Sequence, residues 1–201
     1  MTQLNAGVTF NFRGAGSGFD EFDAKRFDAA ANFIHLNADL SRTQDLMSGY
    51  QLFGKVQGQV ADGPLVSSEQ FSAGGLDTVR GYLESETLGD DGAAATLEFR
   101  GPDIGAWLQN KLKTEGGENA PSFTVFNECR LFGFADGGYV DIRHPLPGQQ
   151  SEFSLASYGA GSRCKTLNSL NSMLVVAIPL VTQTYTHAND AHVLFRVWGE
   201  F

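Results

Sequence analysis

Apolar and polar residues alternate along most of this chain, and a side-chain period of two belongs to a β-strand with one apolar and one polar surrounding. At the N-terminus Leu4, Ala6, Val8, Phe10 and Phe12 share one side, and Gln3, Asn5, Thr9, Asn11 and Arg13 the other. Ile34, Leu36, Ala38 and Leu40 then alternate with His35, Asn37, Asp39 and Ser41. In the next segment Tyr50, Leu52, Val56 and Val60 oppose Gln51, Lys55, Gln57 and Gln59. Leu97 and Phe99 alternate with Thr96, Glu98 and Arg100, and a longer segment from Phe123 puts Glu128, Arg130 and Asp136 on one side. Segments 152–163, 168–180 and 191–201 bring the total to eight candidate strands. In the last, Val193, Phe195, Val197 and Phe201 face away from His192, Arg196 and Glu200.

The longest apolar run, Met173 to Val181, falls far short of the ~18 residues that a membrane helix requires. With 24 Gly, 16 Phe and only 18% charged residues, the chain is rich in turns and aromatic strands, which predicts an all-β fold. The stretch Gly14 to Asp28 is glycine- and charge-rich and reads as a loop. A formal net charge of -9 speaks against a nucleic-acid partner, since a phosphate backbone recruits Lys and Arg. The N-terminus carries neither a basic segment nor an apolar stretch of the kind found in secretory signals. Cys129 and Cys164 fall roughly opposite each other if Leu146 lies near the middle of the connection between them. A disulfide additionally demands the right register and a shared face, so the reading favours two thiols.

Two architectures give the same alternation. In a soluble β-sandwich the apolar faces of two sheets meet; in a transmembrane β-barrel the apolar face meets lipid and the polar face lines the lumen. Periodicity leaves both open. Charged residues at mid-strand, such as Glu128, Arg130 and Asp136, suit a wet lumen better.

Between the third and fourth segments, residues 61–92 form a connection too long for a hairpin, and such loops are usually functional or disordered. It holds Phe71, Gly74, Gly75 and the tetrad Val79-Arg80-Gly81-Tyr82, whose apolar and aromatic residues predict a packed loop. Downstream lies Phe132-Gly133-Phe134-Ala135-Asp136-Gly137-Gly138, and the chain ends on Phe201. These residues resemble the VRGY loop and Phe-x-Asp-x-Gly segment of the superfamily that joins POTRA domains to an outer-membrane barrel. The wider stretch from Gln57 to Glu98 is similar to the haemolysin-secretion and haemagglutinin-secretion branch, the two-partner secretion transporters.

The resemblance implies an antiparallel transmembrane β-barrel, with these strands as the C-terminal half of a sixteen-stranded family barrel. It implies a pore in the outer membrane of a Gram-negative bacterium that moves an unfolded exoprotein, of haemolysin or adhesin type and bearing a two-partner secretion domain, to the cell surface. Residues 61–92 become a lumenal loop tethered by Arg80 to Asp136, and Asp136 shares the parity of Glu128 and Arg130 by independent count. Val79, Gly81, Tyr82, Gly74, Gly75, Phe71, Phe134 and Gly138 pack or shape that loop. Phe201 becomes a C-terminal insertion signal read by the barrel-assembly machinery, and outer-membrane lipid the surroundings. Signal peptide, POTRA domains and the first strands are expected to be absent from these residues. A barrel-assembly factor of the same superfamily is the alternative within this fold, and a β-sandwich binding module the alternative outside it.

Other chemistry finds no support. Gly49 to Lys55 superficially matches a phosphate loop, but Val56 replaces the required Ser or Thr, so no nucleotide is expected. His187 and His192 lack a third metal ligand. No Gly-x-Ser-x-Gly elbow occurs, so neither catalysis nor a cofactor is implied.

Overall fold

The alternating segments become a single antiparallel sheet. The computed structural model describes residues 1–11, 19–29, 32–117 and 124–200. In chain order these form β1 (Thr2–Phe10), α1 (Phe19–Lys25), β2 (Ile34–Asp45), a 3-10 turn (Met47–Gly49), β3 (Gln51–Ala61), β4 (Phe71–Ala73) and β5 (Thr87–Gly89). There follow β6 (Asp91–Arg100), α2 (Gly105–Gly116), β7 (Phe126–Asp141), β8 (Glu152–Thr166), β9 (Leu170–Pro179) and β10 (His192–Gly199). Eight strands pair in the order β1-β2-β3-β6-β7-β8-β9-β10, and β4 and β5 form a separate hairpin inside the connection 62–90. Each large strand lies beside its neighbour in sequence, the arrangement that hairpin connections favour.

Directly paired residues share a face, so the register can be followed across the sheet. One row runs Leu52, Phe99, Gly133, Ala160, Val176, Val193; another runs Leu4, Leu40, Val56, Ala95, Gly137. This face is apolar and open: Val193 is 67% exposed and Phe195 76%. An uncovered apolar face of this extent marks an interaction surface, and among the described residues no second sheet lies over it.

The other face is covered by segment 62–90. Lys55 on β3 and Arg196 on β10 are five inter-strand steps apart, about 24 Å across a flat sheet. Yet Lys55 Nζ lies 3.5 Å from the Asp77 carbonyl oxygen and Arg196 holds the Asp77 carboxylate, so the sheet curls towards its covered face. Among the described residues β1 and β10 do not pair, and the sheet is open.

Several expectations need correction. The stretch read as loop between residues 14 and 28 contains α1, whose Phe22 packs against Phe33, Ala61 and Leu65. Helix α2 occupies the β6–β7 connection, where helix formers dominate and Lys111 faces Glu115 one turn on. The connection expected at 61–92 spans 62–90, with Ala61 closing β3 and Asp91 opening β6. Strand β7 starts at Phe126, while Phe123 and the terminal Phe201 lie outside the described residues.

The two cysteines are not thiols. Register centres the β7–β8 hairpin between Leu146 and Pro147, so Cys129 meets Cys164 directly at a Cα separation of 4.1 Å, and the two form a disulfide. Both lie on the apolar parity, with Asp103 accepting the Cys129 backbone N–H at 2.8 Å. Closing a loop across a separation of 35 residues restricts the unfolded chain by about 3–4 kcal/mol in the chain-entropy model. Replacing both cysteines by serine should lower stability in urea by up to that amount. Reductant should bring the unmodified protein to the same midpoint and leave the variant unmoved.

Candidate functional site

The site is built where the 62–90 segment meets the covered face. Its chain turns at Gly74 and Gly75, at φ of 114° and 92°, as it leaves β4; a Cβ on Gly74 would lie 2.3 Å from the Leu83 carbonyl oxygen. Thr78 Oγ1 donates to the Gly74 carbonyl and accepts its N–H, both at 2.9 Å, which closes the turn. The tetrad 79–82 then presses onto β6 to β9. Val79 and Tyr82 are buried with Ala73, Ala94, Val140 and Leu155, and Phe71 packs at the margin. Gly138 makes this approach possible, since a Cβ there would stand 2.8 Å from Val79 Cγ2. Gly81, at φ 92°, passes over Ala177.

The Tyr82 hydroxyl lies between two strands. It receives the N–H groups of Ala156 at 3.3 Å and Val181 at 3.1 Å, and its single proton is shared between their carbonyls, each 2.9 Å away.

Arg80 is only 3% exposed and Asp136 5%. Arg80 Nε donates to Asp136 Oδ2 at 2.7 Å and Nη2 to Oδ1 at 2.8 Å, a two-pronged pair, while the Arg80 backbone N–H adds a third bond to Oδ2 at 3.1 Å. The remaining prong goes to Glu98: Nη1 donates to Oε1 at 2.6 Å. Glu98 passes the contact on to Arg100, whose Nη2 lies 2.6 Å from Oε2. Beneath the guanidinium lies the Phe134 ring, its centroid 3.7 Å from Cζ. That ring in turn lies over Gly159, where a Cβ would come within 2.8 Å of it. Burial works against the Arg80 cation, but hydrogen bonds and charge from Asp136 and Glu98 outweigh it and raise its pKa further.

The structure thus brings Arg80, Asp136, Val79, Gly81, Tyr82, Phe134 and Gly138 together, with Phe71, Gly74 and Gly75 shaping the segment that delivers them. Glu98 completes the set although sequence reasoning did not nominate it. Its signal was parity, since it shares the polar side of its strand with Thr96, the cross-strand partner of Asp136.

Two further anchors also escaped the sequence. Asp77 takes both Arg196 prongs at 2.8 Å, and this hydrogen bonding holds its carboxyl below the usual range. Asp90, its side chain fully buried, accepts a two-pronged contact from Arg26, the Leu65 N–H at 2.8 Å and the Arg143 N–H at 2.7 Å. It thereby binds three connections, 11–33, 62–90 and 142–151, to one carboxylate. Burial pushes the Asp90 pKa up, but the Arg26 guanidinium and the two N–H groups prevail and hold it below the ordinary carboxylate range.

Among the described residues no cluster of His, Cys, Asp or Glu could hold a metal ion. What the geometry does is hold a loop against a sheet.

A curled antiparallel sheet, apolar on its open face and carrying an inserted loop on its polar face, has the pattern of an outer-membrane β-barrel wall. Residues 1–164 match the family described as haemolysin secretion/activation protein ShlB/FhaC/HecB, and the chain belongs to that family. Its members are outer-membrane transporters of two-partner secretion in Gram-negative bacteria, and the chain is placed in the outer membrane with them. Among solved structures, it is similar to CdiB from Escherichia coli, with a TM-score of 0.72, 18% identity, and coverage of 98% of this chain and 33% of that one. It is also similar to CdiB from Acinetobacter baumannii, with a TM-score of 0.55, 20% identity, and coverage of 84% and 27%. At these identities the likeness is one of fold. The chain spans about a third or less of the length of either structure. No curated protein matches it.

Removing the Arg80 side chain strands the Asp136 carboxylate in the interior and leaves Glu98 with Arg100 alone, a change that costs about 3–5 kcal/mol. Arg80→Ala should therefore lower the denaturant midpoint of the refolded protein in detergent far more than Asp136→Asn, which leaves Glu98 to hold the cation. An Arg80→Ala variant as stable as the parent would show that the cluster carries no net energy.

Acid should loosen the Asp90 anchor. Because its pKa is depressed by folding, its stabilisation is complete above the ordinary carboxylate range near 4 and is lost as pH falls through the lower folded value. Limited proteolysis within 62–90 should rise over that descent, and Asp90→Asn should be cleaved readily at neutral pH with little further change in acid.

Proposed function

We propose that this chain is the C-terminal half of a sixteen-stranded outer-membrane barrel whose pore conducts an unfolded exoprotein from periplasm to surface. Residues 62–90 fold back into the lumen in this reading. The exoprotein is of haemolysin or adhesin type and carries a two-partner secretion domain. Lipid surrounds the apolar face, the barrel-assembly machinery inserts the protein, and no nucleotide drives transport.

The observation that carries the reading is the buried Arg80–Asp136–Glu98 cluster, which fixes a long loop to the polar face of a membrane-type sheet. Its role is to hold the loop in the position from which transport proceeds, with Phe71 and Tyr82 seating it against the wall. Once the cluster and the outer anchors let go, the loop can leave the wall, whereas the lumenal charges around it remain to meet the passing chain. The match to the haemolysin secretion/activation family favours secretion over barrel assembly.

Arg80→Glu in the full-length protein reverses the charge facing Asp136 and Glu98. Secretion of the cognate exoprotein should fall below detection, while outer-membrane fractionation and heat-modifiable migration report a barrel that still inserts. Export at the parent level would overturn the proposed role.

A further inference from the structure

The covered face carries a cationic patch beside the loop clamp, of which Arg196, bound to Asp77, and Arg100, bound to Glu98, serve the loop. Two adjacent rows of cross-strand partners cross it near the short β8–β9 connection: Arg130, Arg163, Met173, Arg196, and Glu128, Lys165, Asn171, Trp198. Arg130 and Arg163 stand directly opposite each other. Like charges in that position repel, and the cost rises where water is scarce.

The available carboxylates are engaged elsewhere. Glu98 is occupied by Arg80 and Arg100, and Glu128 by Arg130 at 2.7 Å. Arg163 reaches Glu98 only at 4.0 Å, with the Met173 sulfur at 3.5 Å, and Lys165 reaches Glu200 at 3.8 Å. A chain with a formal net charge of -9 has thus gathered Arg100, Arg130, Arg163 and Lys165 around one cavity whose single acidic lining residue, among the described residues, is Glu128.

That cavity has a volume of about 160 Å³, room for roughly five waters or one small oxyanion. Asn171 also lines it, and this side chain supplies the independent sign of a ligand. The residue is 9% exposed, yet among the described residues its Nδ2 has no hydrogen-bond partner. A buried donor left unpaired is costly, and an acceptor in the cavity would remove the cost.

We propose that this cavity is an oxyanion-binding site, in which Arg163, Lys165 and the Asn171 amide donate to a single carboxylate or phosphate group. The bound anion offsets the Arg130–Arg163 repulsion and satisfies Asn171. The site does not depend on the transport reading, because the donors, the cavity and the charge stand in the folded sheet itself.

Inorganic phosphate is the probe, titrated calorimetrically into the full-length protein in a zwitterionic detergent at low ionic strength. The parent should bind it saturably. Arg163→Gln should weaken binding roughly tenfold or more, and Asn171→Asp, which exchanges the free donor for a carboxylate of the same shape, should do likewise. Lys113→Gln, on exposed α2, should change nothing, and heat-modifiable migration certifies the fold of each variant. Competition by a glutamate-rich peptide but not a glutamine-rich one identifies a side-chain carboxylate as the occupant; competition by neither identifies a free anion, and either result upholds the site. Absence of saturable phosphate binding in the parent overturns it, as does parent-level binding in a folded Asn171→Asp variant.

Discussion

Burial of the Arg80 guanidinium governs how the rest of this molecule is arranged. A buried cation is tolerated only where opposite charge pairs with it, and here two carboxylates on neighbouring strands take a bond from each of its three nitrogens while Phe134 supports the planar face. For Asp136 and Glu98 to converge, β6 and β7 must hold their register, with Glu98 opposite Phe134 and Thr96 opposite Asp136. For the guanidinium to descend between them, Val79 needs the space left by Gly138, and the Phe134 ring needs the space left by Gly159. Small residues on the sheet and a charged residue on the loop are two sides of one packing solution.

Around this point the loop is fixed at several places, each of a different chemical kind. Tyr82 ties it to the backbone of β8 and of Val181, two residues past β9, by hydrogen bonds alone. Asp77 reaches β10 through an exposed ion pair, which water weakens. Asp90, fully enclosed, gathers three connections onto one carboxylate. The apolar packing of Val79, Tyr82 and Leu65 excludes water from the inner anchors and leaves the outer one open to it. This gradient, from enclosed ionic contacts to a solvated one, is what a loop needs if it is to be firmly seated and still able to leave stepwise.

The two faces of the sheet divide their physics cleanly. On the exposed face, rows of Leu, Val and Phe continue from strand to strand, and charge enters that parity only at Arg42 on β2 and in the terminal row Asp91, Asp141, Glu152. On the covered face, charges concentrate in two places: the loop clamp, where cations and carboxylates balance, and the patch near the β8–β9 turn, where cations predominate. The clamp holds its charges by mutual pairing, whereas the patch leaves donors over.

Much of this was legible in the chain. Alternation set the parity of the eight large strands and put Val193, Phe195 and Val197 opposite Arg196, because the pleat imposes a period of two on any strand with unlike surroundings. The same count put Asp136 on the polar side, and the resemblance of residues 79–82 paired it with Arg80. What the chain did not disclose were the other relations between segments distant in sequence: the second carboxylate Glu98, the Asp90 hub joining residues 26, 65 and 143, and the Cys129–Cys164 disulfide. Helix α1 and the β4–β5 hairpin were equally hidden, since such short elements owe their stability to what they pack against rather than to their own residues. Parity is local and written residue by residue; register and convergence arise only when the sheet assembles, because they minimise the burial cost of groups that no single segment contains.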